Sequence, residues 1–496
     1  MRNNLHINYK VFTIAIYATF TAFSMLAQAD EFDPSEQVKK LKQMVEQLQQ
    51  QRLEQDKQME LLTKELVGVE NQLSQSKIVI AEEKGSSKGA PVYGNFNDGL
   101  VFEDGSGNWK LQLNGRIQTD YRAFKPDDWK NDTFSIRRAR FGGTFSFLKD
   151  FAVRVEGEYA NDNTGAKGTA ALTYGYLDYT HWAAVKVRVG QFKPFFGLER
   201  PQSTNFTDFT ELSLATNNGA IFTSTYDRGV MVFGDPLPWL NYNAYVVNGS
   251  GQNNDAVRDS KDVGGRLDAN FASFTGNKDL VLHAGASVSS GSIGYSTAAG
   301  SSITQVTEGN GVQLFNVANI LPVHTDRTRW GVETALAYGS VKFQGEYIDS
   351  NFEGKRTPPA AGISFDNDIK AWYADLTWLV TGESYADTYK SGVFGRIKPK
   401  NNFDEKGGWG AFELGLRYSE FDASDFKSLL TPPTVAAPNT FTSEANAWVA
   451  GGKWILNPNA RLMLNYIHTK FDTDIRVNGK LDDAEDAVIL RAQYDF

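Results

Sequence analysis

The chain has 496 residues, no cysteine, 45 glycines, 33 phenylalanines, 20 tyrosines, 10 tryptophans and a formal net charge of −9. The missing cysteines exclude a disulfide scaffold, a cysteine-ligated metal centre and a thiol enzyme. A mean hydropathy of −0.39 is too polar for a bundle of membrane helices, each needing roughly 20 apolar residues, and a pI near 5.3 gives no basic footprint for nucleic acid.

Residues 1–29 read as an export signal. Arg2 and Lys10 precede an apolar run from Val11 to Leu26, and Ala27-Gln28-Ala29 fits a small-x-small cleavage site. An uncleaved anchor helix is the alternative. From 30 to 81 the apolar residues fall at helical spacing: Val38, Leu41, Val45, Leu48, then Met59, Leu62, Leu66, Val69 and Leu73, interrupted by Arg52 and Gln55. This seam predicts a periplasmic coiled coil, with a single amphipathic helix as the alternative. Residues 82–95, rich in Gly, Ser and Pro, form a linker, and 96–496 form one all-β transmembrane domain.

In that domain the period changes to two. From Trp109 to Ala123, Trp109, Leu111, Leu113, Ile117 and Tyr121 alternate with Lys110, Gln112, Arg116, Asp120 and Arg122, which means a strand with one apolar and one polar face. Sixteen such segments follow one another: 109–123, 134–147, 151–160, 170–181, 184–192, 228–234, 239–247, 262–271, 279–290, 329–338, 341–350, 368–380, 409–420, 446–456, 460–470 and 486–496. Connections 148–150, 181–183, 235–238, 339–340 and 457–459 are short. Connections 193–227, 291–328 and 421–445 are long, and 381–408 is a long exception among the short ones. Sixteen antiparallel strands, short periplasmic turns and long external loops predict a transmembrane barrel in the bacterial outer membrane, apolar outside and polar within, in contact with lipid and lipopolysaccharide. The last strand carries Val488, Leu490, Ala492, Tyr494 and a terminal Phe496 on its apolar face, resembling the terminal signature of such barrels.

The polar face is the functional inventory. Its basic candidates include Arg116, Arg122, Arg138, Arg140, Arg154, Lys186, Arg188, Arg228, Arg266 and Lys370. Rings of such residues along a pore favour anions and repel cations. Arg137 has the wrong parity for the lumen and is expected near the outer rim, because charge facing lipid costs about 2–4 kcal/mol at the midplane. Lumen carboxylates such as Asp120, Glu156, Asp178, Glu333 and Glu413 offer the blander reading of cross-strand pairing. Residues 91–496 keep 39 basic and 47 acidic side chains, so total charge gives no support to anion selectivity. Segment 193–227, with Lys193, Glu199, Arg200, Asp208 and Glu211 among phenylalanines, is expected to fold inward and narrow the lumen, with an ordinary external loop as the alternative.

Several stretches are similar to the phosphate-selective porin O and P family: Phe141-Gly142-Gly143, VGQFKPF from Val189, LVTGE from Leu379, GVFGRIKP from Gly392, FELGLRYS from Phe412 and NPNARLMLNY from Asn457. The resemblance spans about 95–496. It implies a sixteen-stranded, usually trimeric porin with an inward third loop and basic residues guiding phosphate or other anions. It implies a place in the basic lining for Arg138, Arg140, Lys193 and Arg228. The expected function is passive diffusion of small anions, phosphate first. A weakly selective porin and a non-conducting barrel tethered to periplasmic partners are the alternatives. Catalysis is not expected, since His181, His283, His324 and His468 show no partnered nucleophile motif. No cofactor, metal or nucleic-acid partner is expected.

Overall fold

The computed structural model describes Lys39, Lys42, Val45 and residues 92–496, apart from 97–98, 106, 161–169, 257–258, 260, 294–300, 321–324, 357–362 and 431–439. Residues 1–88 and 89–496 form separate units. In the first, Lys39, Lys42 and Val45 are helical and exposed, while the expected signal segment and the rest of the heptad seam lie outside the described residues.

The second unit is a closed barrel of sixteen antiparallel strands. They are β1 (Trp109–Lys125), β2 (Thr133–Phe147), β3 (Phe151–Glu158), β4 (Ala171–Trp182), β5 (Val185–Phe192), β6 (Asp227–Leu237), β7 (Leu240–Val247) and β8 (Asp262–Asn270). They continue with β9 (Leu280–Ser292), β10 (Asp326–Tyr338), β11 (Val341–Lys355), β12 (Ser364–Leu379), β13 (Ala411–Asp422), β14 (Glu444–Ile455), β15 (Ala460–Val477) and β16 (Lys480–Asp495). Each strand pairs with the next, and β16 pairs with β1 from Asp486 opposite Lys125 to Asp495 opposite Arg116. Closure leaves no edge within the wall, which satisfies backbone polar groups that lipid cannot. A hairpin of Val92–Phe96 and Leu100–Asp104 pairs with Lys110 to Leu113 of β1, the stretch that β16 does not reach.

Alternation works as the pattern demands. On β1, Ile117 is exposed, while Gln118, Asp120 and Arg122 are buried inside. Arg137 and Lys370 do not face as expected. Between Gln118 and Thr119 of β1 the register with β2 slips by one residue, so Gln118 faces Arg138 and Thr119 faces Ile136. Arg137 is the extra residue of this β-bulge. It points into the lumen and bonds Glu211, rather than lying at the outer rim. Lys370 faces outward, because its neighbours Ile369 and Ala371 are the buried ones.

The lumen is partly a packed core. Segment 193–226 folds inside, as expected. So do the hairpin of Ser301–Val306 and Gln313–Ile320 between β9 and β10, and segment 381–408 between β12 and β13. Phe315 of the hairpin packs edge-on to Phe421 and Phe426, which are buried with Phe352 and Phe365 of the wall. Each buried phenylalanine contributes about 1.5–3 kcal/mol.

Candidate functional site: a cationic passage beside the inner loop

The inner loop, 193–226, is seated by shape and charge. Gly197 has φ of +67°, and a Cβ there would collide with the Glu346 carboxylate. Phe209 lies over Gly415 and Gly451, where side chains would lift it off the wall. The loop's three carboxylates all engage wall cations. Glu199 meets Arg417 at 2.5 Å, Asp208 meets Lys342 at 2.7 Å, and Glu211 meets Arg122, Arg137 at 2.9 Å and Arg491 at 3.1 Å. Its two cations, Lys193 and Arg200, have no carboxylate within ion-pair distance among the described residues. Lys193 Nζ donates to the Gln202 carbonyl at 3.1 Å, and Arg200 donates to the carbonyls of Thr216 and Ser224. An acidic-looking loop thus has its three acids neutralised by wall cations, while its two cations have no ion-pair partner among the described residues.

Open space remains against β1 to β5. A cavity of about 470 Å³ lies towards the long loops, and one of about 380 Å³ lies towards the short turns, where Phe496 lines it. Arg140, Lys193, Thr204 and Tyr226 line both, and this shared lining is termed the neck. The turn-side cavity is lined by Arg116, Arg140, Arg154, Arg188 and Lys193 against one acidic side chain, Glu156. The loop-side cavity is lined by Lys130, Arg137, Arg138, Arg140, Lys193 and Arg200 against Glu199 and Glu211. Together that is nine cationic and three acidic side chains, within a chain of net charge −9.

Several of these cations keep donors available. Among the described residues Arg116 bonds the neutral Thr204 and Asn205 side chains, at 2.6 Å each, and Arg138 bonds Gln118 at 2.8 Å. Neither has a carboxylate within ion-pair distance among the described residues. Arg140 reaches Glu158 at 2.6 Å and the Tyr226 hydroxyl at 2.6 Å, while Arg154 pairs with Glu156 and Arg188 with Asp178. Burial, and then Arg200, Arg140, Arg116 and Arg138, push the Lys193 ammonium well below its ordinary range. Burial and Arg329 push Arg200 down to about 9. A negative charge placed beside either group would offset the repulsion from the neighbouring guanidinium groups.

The other expected residues lie elsewhere. Arg122 is buried under the loop with Asp120, Glu211 and the Gly309 carbonyl. Arg266 is enclosed by Asp268, Glu333 and the Gly392 carbonyl of segment 381–408. Lys186 pairs with Asp235. Arg228 shares the parity of Val230, which is 42% exposed, so it belongs to the outer face, where it meets Gln191 and Asp255. The residues not anticipated are Lys130, on a loop without periodicity, and Tyr174, Tyr176 and Tyr226, whose rings lie beside cations: Arg188 at 3.8 Å over Tyr176, Arg154 at 4.4 Å over Tyr174.

A family model described as phosphate-selective porin O and P matches residues 111–496. Porin O of Pseudomonas aeruginosa is 26% identical over 442 residues, covering 83% of this chain and 94% of that protein. Among solved structures, an anion-selective porin from Comamonas acidovorans is similar at 13% identity with a TM-score of 0.48, covering 78% of this chain and 100% of that one. The outer membrane channel DcaP of Acinetobacter baumannii is similar at 14% identity with a TM-score of 0.48, covering 80% and 99%. The chain is a bacterial outer-membrane β-barrel porin, and it belongs to the phosphate-selective porin O and P family.

Proposed function

We propose that this porin conducts small anions passively, with phosphate and related oxyanions preferred, through the passage between β1 to β5 and the inner loop. The observation that carries this reading is the excess of nine cationic over three acidic side chains along the two cavities, with Arg116, Arg138, Lys193 and Arg200 free of ion pairs among the described residues. Fixed positive charge in a narrow, water-poor lumen offsets the dehydration of an anion and raises the cost for a cation. Guanidinium groups present paired donors that match the oxygens of phosphate, whereas chloride offers a single centre. The reading includes no catalysis and no resident cofactor. Assembly as a homotrimer and a periplasmic helical stalk formed by 30–81 belong to the same proposal.

The test is the reversal potential of the purified protein in a planar bilayer under a potassium chloride gradient, followed by titration with phosphate. Anion-selective current blocked by low phosphate is the expected result. Cation-selective or unselective current without block returns the protein to the weakly selective alternative, and absence of current to the non-conducting one.

A further inference from the structure

The two cavities carry similar charge but differ in their remaining surface. Of the 21 residues around the turn-side cavity seven are aromatic, whereas of the 19 around the loop-side cavity only Tyr226 is. An inorganic oxyanion requires charge and donors but no rings. At about 380 Å³ the turn-side cavity is also within the range of pockets that hold organic ligands.

The rings are ordered. Tyr176 and Tyr174 meet edge to face at 5.8 Å, and Tyr174 and Tyr226 at 5.0 Å, so three tyrosines climb to the neck in sequence. Each has a guanidinium beside it: Arg188 at 3.8 Å, Arg154 at 4.4 Å and Arg140 at 5.7 Å. On the inner loop, Phe206 lines the same space with Arg396 at 4.9 Å and Arg461 at 5.5 Å from its ring. Guanidinium planes and aromatic faces both stack on flat π-systems. Arg116 and Lys193, which have no carboxylate within ion-pair distance among the described residues, supply donors for an anionic group in the same cavity.

We propose that the turn-side cavity is a subsite for organic anions that carry a planar aromatic ring, aromatic carboxylates being the simplest class. The carboxylate binds Arg116 and Lys193, and the ring lies among Phe206 and the guanidinium–tyrosine file. This rests on the anion-conducting reading above, and it adds a class of permeant that charge alone does not select.

The test uses the full-length protein in a planar bilayer, with chloride current measured as benzoate, cyclohexanecarboxylate or acetate is added. Benzoate and cyclohexanecarboxylate have the same charge and ring size, but only benzoate is flat and aromatic. Benzoate is expected to half-block at a concentration about tenfold below cyclohexanecarboxylate, the factor that two ring contacts supply. Phe206→Leu and Tyr176→Leu are each expected to shrink that ratio. Equal block by the two ring acids in the wild-type protein overturns the proposal without needing any variant. A ratio that survives both substitutions overturns its placement in this cavity. If the wild-type reversal potential is not anionic, the conduction reading itself has failed, which is a separate outcome.

Discussion

Lys193→Met removes one positive charge from the neck while keeping an unbranched side chain of similar length. Lys193 lines both cavities, and its ammonium uses one described hydrogen bond, to the Gln202 carbonyl. At 4 Å from a passing anion, a unit charge is worth about 4 kcal/mol at an effective dielectric of 20, and about 1 kcal/mol in bulk water. A charge-assisted hydrogen bond contributes about 1.5–3 kcal/mol, between those limits. The substitution should therefore raise the phosphate concentration for half-block by about 10- to 150-fold. Eight lining cations remain, so the current should stay anion-selective, with a smaller reversal potential. Lys193→Arg should retain most of the block. A folded Lys193→Met channel with phosphate block and reversal potential unchanged would refute the assignment of the neck.

The same residue sets a pH dependence. Because its folded value is depressed, Lys193 is charged at low pH and loses its charge as pH rises, earlier than an ordinary lysine. Anion selectivity should fall as pH rises, the fall beginning below about 10.4, the ordinary lysine value, and Lys193→Arg should shift that fall upward. Neutralising Arg138 and Arg140 together to Gln should lower anion preference while heat-modifiable gel mobility shows an intact barrel; unchanged selectivity removes both from the mechanism. Arg417 holds Glu199 of the inner loop, Glu308 of the external hairpin and Asp375 of the wall. Arg417→Met leaves three carboxylates without their shared cation, at a cost of about 3–5 kcal/mol. Single-channel conductance should rise as the loop loosens, and selectivity should move towards cations; unchanged conductance would show that apolar packing alone seats the loop.

The wall is legible because lipid enforces one apolar face on every strand, and all sixteen segments reappear, some of them extended beyond the expected span, as in Ala460–Val477 and Lys480–Asp495. Where that constraint lapses, the pattern does not fix the phase. On β6 the inward Met231 packs with Phe192, Tyr245 and Val247, so both faces are apolar and periodicity does not show which of them carries Arg228. Lys370 lies one step beyond the outward Trp372, where the outer face turns from aromatic to charged. At Arg137 two adjacent arginines cannot both face the lumen of a regular strand, and the bulge that permits it has no period to reveal it. The inner loop's charge sorting was hidden for another reason. Glu199 and Arg417 are 218 residues apart, and local spacing carries no information about which carboxylates such contacts neutralise.

The phenylalanine core inside the barrel separates two quantities that strand number usually ties together. Circumference is fixed by hydrogen bonding around sixteen strands, but the bore is whatever the inner loop and external hairpin leave uncovered. Changes in those two segments can therefore resize the sieve, or exchange its lining, without renegotiating a single strand register. The membrane-facing shell and the solute filter are free to change at different rates within one chain.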